Sequence, residues 1–121
     1  GLHVPQLEPA NLLHYPPGQE YKPHFDFINP AVPGFREQLS IFGQRIATAL
    51  VYLNDDYDGG ETAFPTLGFK FRGQPGDALV FLNVGANGQP HRASLHAGLP
   101  PLRGEKWVLS IWIRDRVQPI L

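Results

Sequence analysis

His24 and Asp26 stand one residue apart, and an extended strand repeats every two, so both side chains leave the same face. A second imidazole brought in from a distant strand, with His96 the candidate, would complete two histidines and one carboxylate on one side of a metal ion. Such a set leaves the opposite coordination positions open and suits ferrous iron working on dioxygen. Lys106 follows His96 by ten residues, and a lysine near such a site can pair with the far carboxylate of a dicarboxylate co-substrate. A closed structural zinc site would need a fourth protein ligand, and none has suitable spacing. Taken alone, His24-Phe25-Asp26 is equally a strand-edge hydrogen-bonded pair, and Lys106 a surface lysine opening a strand. The other members of the constellation are what favour a metal.

These residues need a scaffold of short strands. Thirteen glycines and thirteen prolines are spread through 121 residues, which disfavours long helices and favours strands joined by turns. Candidate strands run over Asn11–Tyr15, Tyr21–Phe27, Arg45–Leu53, Glu61–Phe64, Phe69–Arg72, Ala78–Leu82, Ala93–His96 and Lys106–Arg114. Turn chemistry separates them at Pro16-Pro17-Gly18, Asp58-Gly59-Gly60 and Gln74-Pro75-Gly76. The stretch 31–43 reads as a loop with about one helical turn. Eight short strands predict an all-β fold, a double-sheet jelly roll with little helix. Arg45–Leu53 is apolar on both parities and should be covered on both faces. In Lys106–Arg114 one parity carries Lys106, Val108, Ser110, Trp112 and Arg114, a sensible wall for a cleft that holds an anion and a substrate.

Length and charge bound the rest. The chain has the size of a single domain, 1–121, with a formal charge of −1 and no block of like sign, so neither a nucleic-acid tract nor a membrane patch is expected. Cysteine is absent, which rules out disulfides, thiolate zinc sites and thiol nucleophiles. That absence, with no signal-peptide pattern, favours the cytoplasm. A first residue of glycine rather than methionine predicts a chain trimmed at its N-terminus.

Several segments carry a specific resemblance. Tyr15-(two residues)-Gly18-Gln19-(one)-Tyr21-Lys22-Pro23-His24-Phe25-Asp26, Arg45–Asn54 and Gly59-Gly60-Glu61-Thr62-Ala63-Phe64-Pro65 are joined by Gly76–Phe81, Ser94-Leu95-His96-Ala97-Gly98 and Gly104-Glu105-Lys106-Trp107. In this order, from Leu12 to Arg114, they resemble the prolyl 4-hydroxylase branch of the Fe(II)/2-oxoglutarate oxygenases. The resemblance implies a double-stranded β-helix core, with His24, Asp26 and His96 as iron ligands. It implies Lys106 as the partner of the C5 carboxylate of 2-oxoglutarate, helped by the hydroxyls of Tyr15 and Thr62; Tyr15 also fits a plain core aromatic. Tyr21, Arg45 and Trp112 match positions lining a prolyl-peptide groove, although each fits ordinary strand packing. Arg114 falls at a variable position bordering the substrate cleft. His3, His14 and His91 match no functional position.

The resemblance further implies a dioxygenase that uses Fe(II), 2-oxoglutarate and O2 to hydroxylate a prolyl residue of a peptide or protein at C4, releasing succinate and CO2. Ascorbate would serve as reductant in vitro. An intact Asp26 points to hydroxylation, because halogenating relatives replace this carboxylate with a small residue. The N-terminal helices that brace the larger sheet in such proteins are not evident here. Two other readings fit the sequence: the same chemistry on a free amino acid or other small molecule, and a catalytically silent jelly roll used for binding.

Overall fold

The structure, a computed structural model, describes residues 4–119, so His3 lies outside the described residues. Among the described residues ten strands form: β1 (Asn11–Tyr15), β2 (Tyr21–His24), β3 (Arg45–Tyr52), β4 (Asp58–Gly59), β5 (Thr62–Phe64), β6 (Phe69–Phe71), β7 (Ala78–Leu82), β8 (His96–Gly98), β9 (Pro101–Arg103) and β10 (Lys106–Arg114). They build one four-stranded sheet in the order β1-β10-β3-β7, a second in the order β2-β8-β5-β6, and the small pair β4-β9. Every pairing is antiparallel. This is the jelly roll that the turn spacing predicts, with both main sheets sending side chains into one shared core. Among the described residues, no helix is long and apolar enough to cross a membrane.

The larger sheet shows why. Its register sets Val108 opposite Tyr52, Ser110 opposite Leu50 and Trp112 opposite Thr48, then Leu50 opposite Leu79 and Thr48 opposite Phe81. Partners in register share a face, so one parity of each strand lines the interior. Leu50, Tyr52 and Val108 form the buried nucleus, with Phe71, Leu79 and Phe81 packed against it. The other parity of β7 and β1 carries Val80, Leu82 and Leu12, each more than half exposed. Aromatic contacts between Phe64 of the smaller sheet and Phe81 of the larger bring the two layers together.

Four expectations need correction. The stretch 31–43 contains an α-helix, α1 (Phe35–Phe42), whose Phe35, Leu39 and Phe42 recur at helical spacing. Gly34 and Gly43 flank it at φ 86° and 78°, and the Gly43 N–H closes it onto the Leu39 carbonyl. The Ala93–His96 strand is replaced by a 3-10 turn over Arg92–Ser94, and pairing begins only at His96. Strand β2 stops at His24, before Phe27. Asp58-Gly59, which reads as a turn, pairs instead with Pro101–Arg103 as β4-β9, and an Arg103–Asp58 ion pair at 2.7 Å closes it.

Candidate metal and co-substrate site

Strands β2 and β8 place His24 directly opposite His96, which explains how a histidine from far along the chain reaches the first one. The two rings lie 4.3 Å apart between centroids. Asp26 continues just past the end of β2. Its Oδ1 sits 3.4 Å from His24 Nε2 and 3.6 Å from His96 Nε2. One ligand atom from each of the three residues falls within a 4.8 Å cluster, the one such group of metal donors among the described residues.

Hydrogen bonds fix which ring nitrogens are free. His24 Nδ1 donates to the Lys22 carbonyl at 2.7 Å, and His96 Nδ1 donates to the Ser94 carbonyl at 2.8 Å. A carbonyl can only accept, so each Nδ1 carries a proton and each ring turns its Nε2 toward Asp26. Histidines that bind metals are held in this way, by a second group on the nitrogen that does not bind. Burial raises the Asp26 pKa, but the His24 contact, the His96 charge and the Thr48 hydroxyl outweigh it and bring the carboxyl down to about 2. The Trp112 indole N–H is buried near this carboxylate without meeting hydrogen-bond geometry. Burial also lowers the His96 pKa and favours its neutral, ligating form. Two imidazoles whose Nε2 atoms face one carboxylate make a donor set that fits a divalent first-row metal once each Nε2 is deprotonated.

Lys106 lies in the same small cavity, about 40 Å³, together with Tyr15, Thr62 and Trp112. This volume has room for a few water molecules. Lys106 is 2% exposed and donates from Nζ to the Gly60 carbonyl at 2.6 Å. The Tyr15 and Tyr52 rings lie 5.3 and 5.6 Å from that nitrogen. Burial brings the lysine down to about 8, against a smaller upward pull from Glu61. Burial raises the phenols of Tyr15 and Tyr52 to about 12, so both stay protonated near neutral pH and can donate to a carboxylate. Thr62 is fully inside, with its hydroxyl 2.6 Å from the Tyr52 hydroxyl.

The remaining candidates are more dispersed. Tyr21 is 45% exposed and stacks on the His24 ring at 3.8 Å, at the mouth of the site. Arg45 stands at the end of β3, with its guanidinium 3.9 Å above the Trp112 ring and a bond to Glu8 at 2.8 Å. Arg114 is not among the residues lining the cavity. A register shift between Ile113 and Arg114 breaks the strand alternation, and Arg114 bonds Glu8 Oε2 and the Gly43 carbonyl, both at 2.6 Å. His14 points away from the interior, stacked on Trp107 and 2.8 Å from Glu105, and His91 is exposed. A larger groove, about 770 Å³, lies elsewhere, between Leu7, Glu8, Phe42, Arg45, Ile111 and Arg114. Its guanidinium groups are already paired with Glu8, and it holds no metal-donor cluster among the described residues.

Three residues near the site were not expected from the sequence. Thr48 donates to Asp26, Asn83 donates to Thr48, and Tyr52 meets Thr62. Tyr52 and Thr48 look like ordinary members of an apolar strand, and Asn83 like a residue ending one.

An open-sided set of two histidines and a carboxylate, between the sheets of a jelly roll and beside a buried lysine, defines a non-heme metal oxygenase class of site. The chain belongs to the 2OG-Fe(II) oxygenase superfamily, whose sequence profile matches residues 10–114. That membership implies Fe(II), 2-oxoglutarate and O2 as cofactor and co-substrates. The chain is 41% identical over 110 residues to a protein of Acanthamoeba polyphaga mimivirus named "Putative prolyl 4-hydroxylase", covering 90% of this chain and 46% of that one. It is 37% identical over 118 residues to human prolyl 4-hydroxylase subunit alpha-1, covering 98% of this chain and 22% of that one. It is also similar to the crystal structure of the viral collagen prolyl hydroxylase of Paramecium bursaria Chlorella virus 1 in its 2OG complex. There the TM-score is 0.74 and the identity 34%, covering 91% of this chain and 60% of that one. The chain thus spans less than half the length of the curated relatives it matches.

Proposed function

We propose that this chain carries the catalytic site of an Fe(II)- and 2-oxoglutarate-dependent dioxygenase that hydroxylates a prolyl residue, at C4, in a peptide or protein. The observation that carries this reading is the meeting of His24 Nε2, Asp26 Oδ1 and His96 Nε2 in the cavity that also holds Lys106. The names of the similar proteins support a prolyl substrate.

When bound, iron and 2-oxoglutarate would supply the oxidising power that inserts oxygen into an unactivated C–H bond, with release of succinate and CO2. The chain's own residues do the positioning. His24, Asp26 and His96 would hold the metal from one side. Lys106 would pair with the distal carboxylate of the diacid, and the Tyr15 and Thr62 hydroxyls would donate to it, so that a buried anion would be paired on several sides. Tyr21 and Trp112 would give the pyrrolidine ring apolar walls, with Arg45 behind the indole. Holding the target carbon in register with the metal is the protein's main contribution to rate.

The test is mass spectrometry of proline-containing peptides incubated with the protein, Fe(II), 2-oxoglutarate and ascorbate. A gain of one oxygen on proline, with stoichiometric succinate, is the expected result. Succinate formation stimulated by a free amino acid and by no peptide would replace the prolyl reading with a small-molecule one. No turnover under any condition, with the metal bound, would indicate a silent binding module.

A further inference from the structure

Asp26 has two carboxylate oxygens, and the structure treats them differently. Oδ1 faces the two imidazoles at 3.4 and 3.6 Å. Oδ2 faces the opposite sheet, where it accepts the Thr48 hydroxyl at 2.7 Å. Thr48 Oγ1 in turn accepts a hydrogen bond from Asn83 Nδ2 at 2.8 Å. Thr48 and Asn83 are both 0% exposed, so water has no access through which to scramble the pattern.

The direction of this chain of bonds comes from proton counting. A threonine hydroxyl has a single proton to give. The Asn83 amide fills one acceptor position on Thr48, which leaves that proton for Asp26. The reverse amide orientation would turn the hydroxyl proton toward Asn83 Oδ1. Two oxygens would then stand 2.7 Å apart at Asp26 with no hydrogen between them. Asn83 is itself fixed: its backbone N–H bonds the Ile46 carbonyl and its carbonyl accepts the His91 N–H, both at 2.9 Å. Its Oδ1 has no partner among the described residues. The bond to Thr48 is thus the one its side chain makes there, and an apolar residue would leave that buried acceptor position on Thr48 unfilled.

We propose that Asn83 is a positioning residue for the metal site, acting through Thr48: it commits the Thr48 proton to Asp26 Oδ2, so that the carboxylate presents Oδ1 alone. The inference rests on the metal-site reading above. With the relay in place the carboxylate cannot swing to offer both oxygens, and the coordination positions opposite the protein stay open. Groups behind metal ligands typically change affinity 10–100-fold when removed.

The experiment measures Mn(II) binding to the metal-free protein by calorimetry, with circular dichroism to select folded variants. Thr48→Val, which keeps the shape and removes the hydroxyl, should weaken binding about 10–100-fold, and Thr48→Ser should hold affinity near wild type. Asn83→Leu should weaken binding in the wild-type background and add no further loss to Thr48→Val, because the two act in series. A wild-type isotherm for Asn83→Leu, or losses that multiply in the double variant, would overturn the proposal. A second measurement needs no variant. In wild-type protein the Asn83 side-chain amide should be protected from hydrogen exchange and should shift on adding Zn(II). A freely exchanging Asn83 amide would also overturn the proposal. Absence of any metal binding by wild-type protein would instead sink the metal-site reading.

Discussion

Arg45 lays its guanidinium 3.9 Å above the Trp112 ring, so the wall of the cavity beside Asp26 is backed by a cation held in place from behind. A guanidinium over an indole is a favourable contact that stiffens both side chains. Trp112→Ala should therefore damage peptide-coupled turnover while sparing the slow decarboxylation of 2-oxoglutarate without peptide. The two activities separate because Lys106 and the metal ligands would hold the co-substrate, and the tryptophan ring would wall the peptide side of the cavity. Succinate assays with and without a proline-rich peptide check this. Equal loss of both activities would remove Trp112 from the substrate wall.

Glu8 bonds Arg45 at 2.8 and 3.2 Å and Arg114 at 2.6 Å, so one carboxylate serves two guanidinium groups. Burial raises its pKa, but the two arginines outweigh that and hold it below the usual carboxylate range. Glu8→Ala would leave the Arg114 guanidinium, on a residue 4% exposed, with the Gly43 carbonyl and the Phe42 ring and, among the described residues, no carboxylate beside it. The loss should cost about 2 kcal/mol, less than for a fully enclosed pair because Glu8 and Arg45 reach solvent. Urea unfolding measures it. The folded-state pKa is depressed, so the stabilisation is present above the unfolded value of 4.5 and fades as pH falls through the lower folded value.

His96→Ala should abolish metal binding and leave a folded protein, since the ring lies against Phe64 and Phe81 but outside the Leu50–Tyr52–Val108 nucleus. Mn(II) at a hundredfold excess over its dissociation constant should stabilise the wild type by about 2.7 kcal/mol, and the variant by nothing. Thermal unfolding with and without Mn(II) reads the difference. An undiminished shift in His96→Ala would place the metal elsewhere.

Lys106 sets a pH limit. It carries its charge below about 8, so 2-oxoglutarate affinity should be flat below that pH and fall as pH rises through it. Stability should move the other way. Between about 8 and the ordinary lysine value of 10.5 the unfolded chain binds the proton and the folded protein does not, so the residue's contribution to stability rises with pH. Wild type should gain on Lys106→Met in urea midpoints between about pH 7 and about pH 9.5. Lys106→Ala should weaken 2-oxoglutarate binding by about 2–5 kcal/mol while leaving Mn(II) affinity in place. Lys106→Arg should recover only part, because a planar fork does not replace a compact ammonium.

The parts of this molecule visible in sequence are those governed by local rules. Strands β1, β7 and β10 fall on the residues that alternation and turn chemistry mark, and the same-face relation of His24 and Asp26 needs only a period of two. The parts that stayed hidden depend on contacts far along the chain. Thr48 in a largely apolar strand gives no sign that Asp26 lies above it, and Asn83 becomes informative only once β7 is beside β3. Tyr52 counts as core by pattern, and it is core, but its hydroxyl meets Thr62 across the sheets. Arg114 shares a parity with Lys106 that one irregularity beside Ile113 undoes, and no composition rule locates such a shift. The β4-β9 pair is held by an ion pair between residues 45 apart, which turn residues alone do not announce.

The pairing of His24 with His96 makes fold quality and metal binding one property. A slip of one residue between β2 and β8 would send one imidazole to the opposite face. A chain that closed in the wrong register could retain its strands, its size and its circular dichroism, yet offer the ion no complete set of donors. The metal would thus act as an inspector of assembly: in a refolded or mutated preparation, the fraction of molecules that bind it would count those in which the two strands found their proper partners.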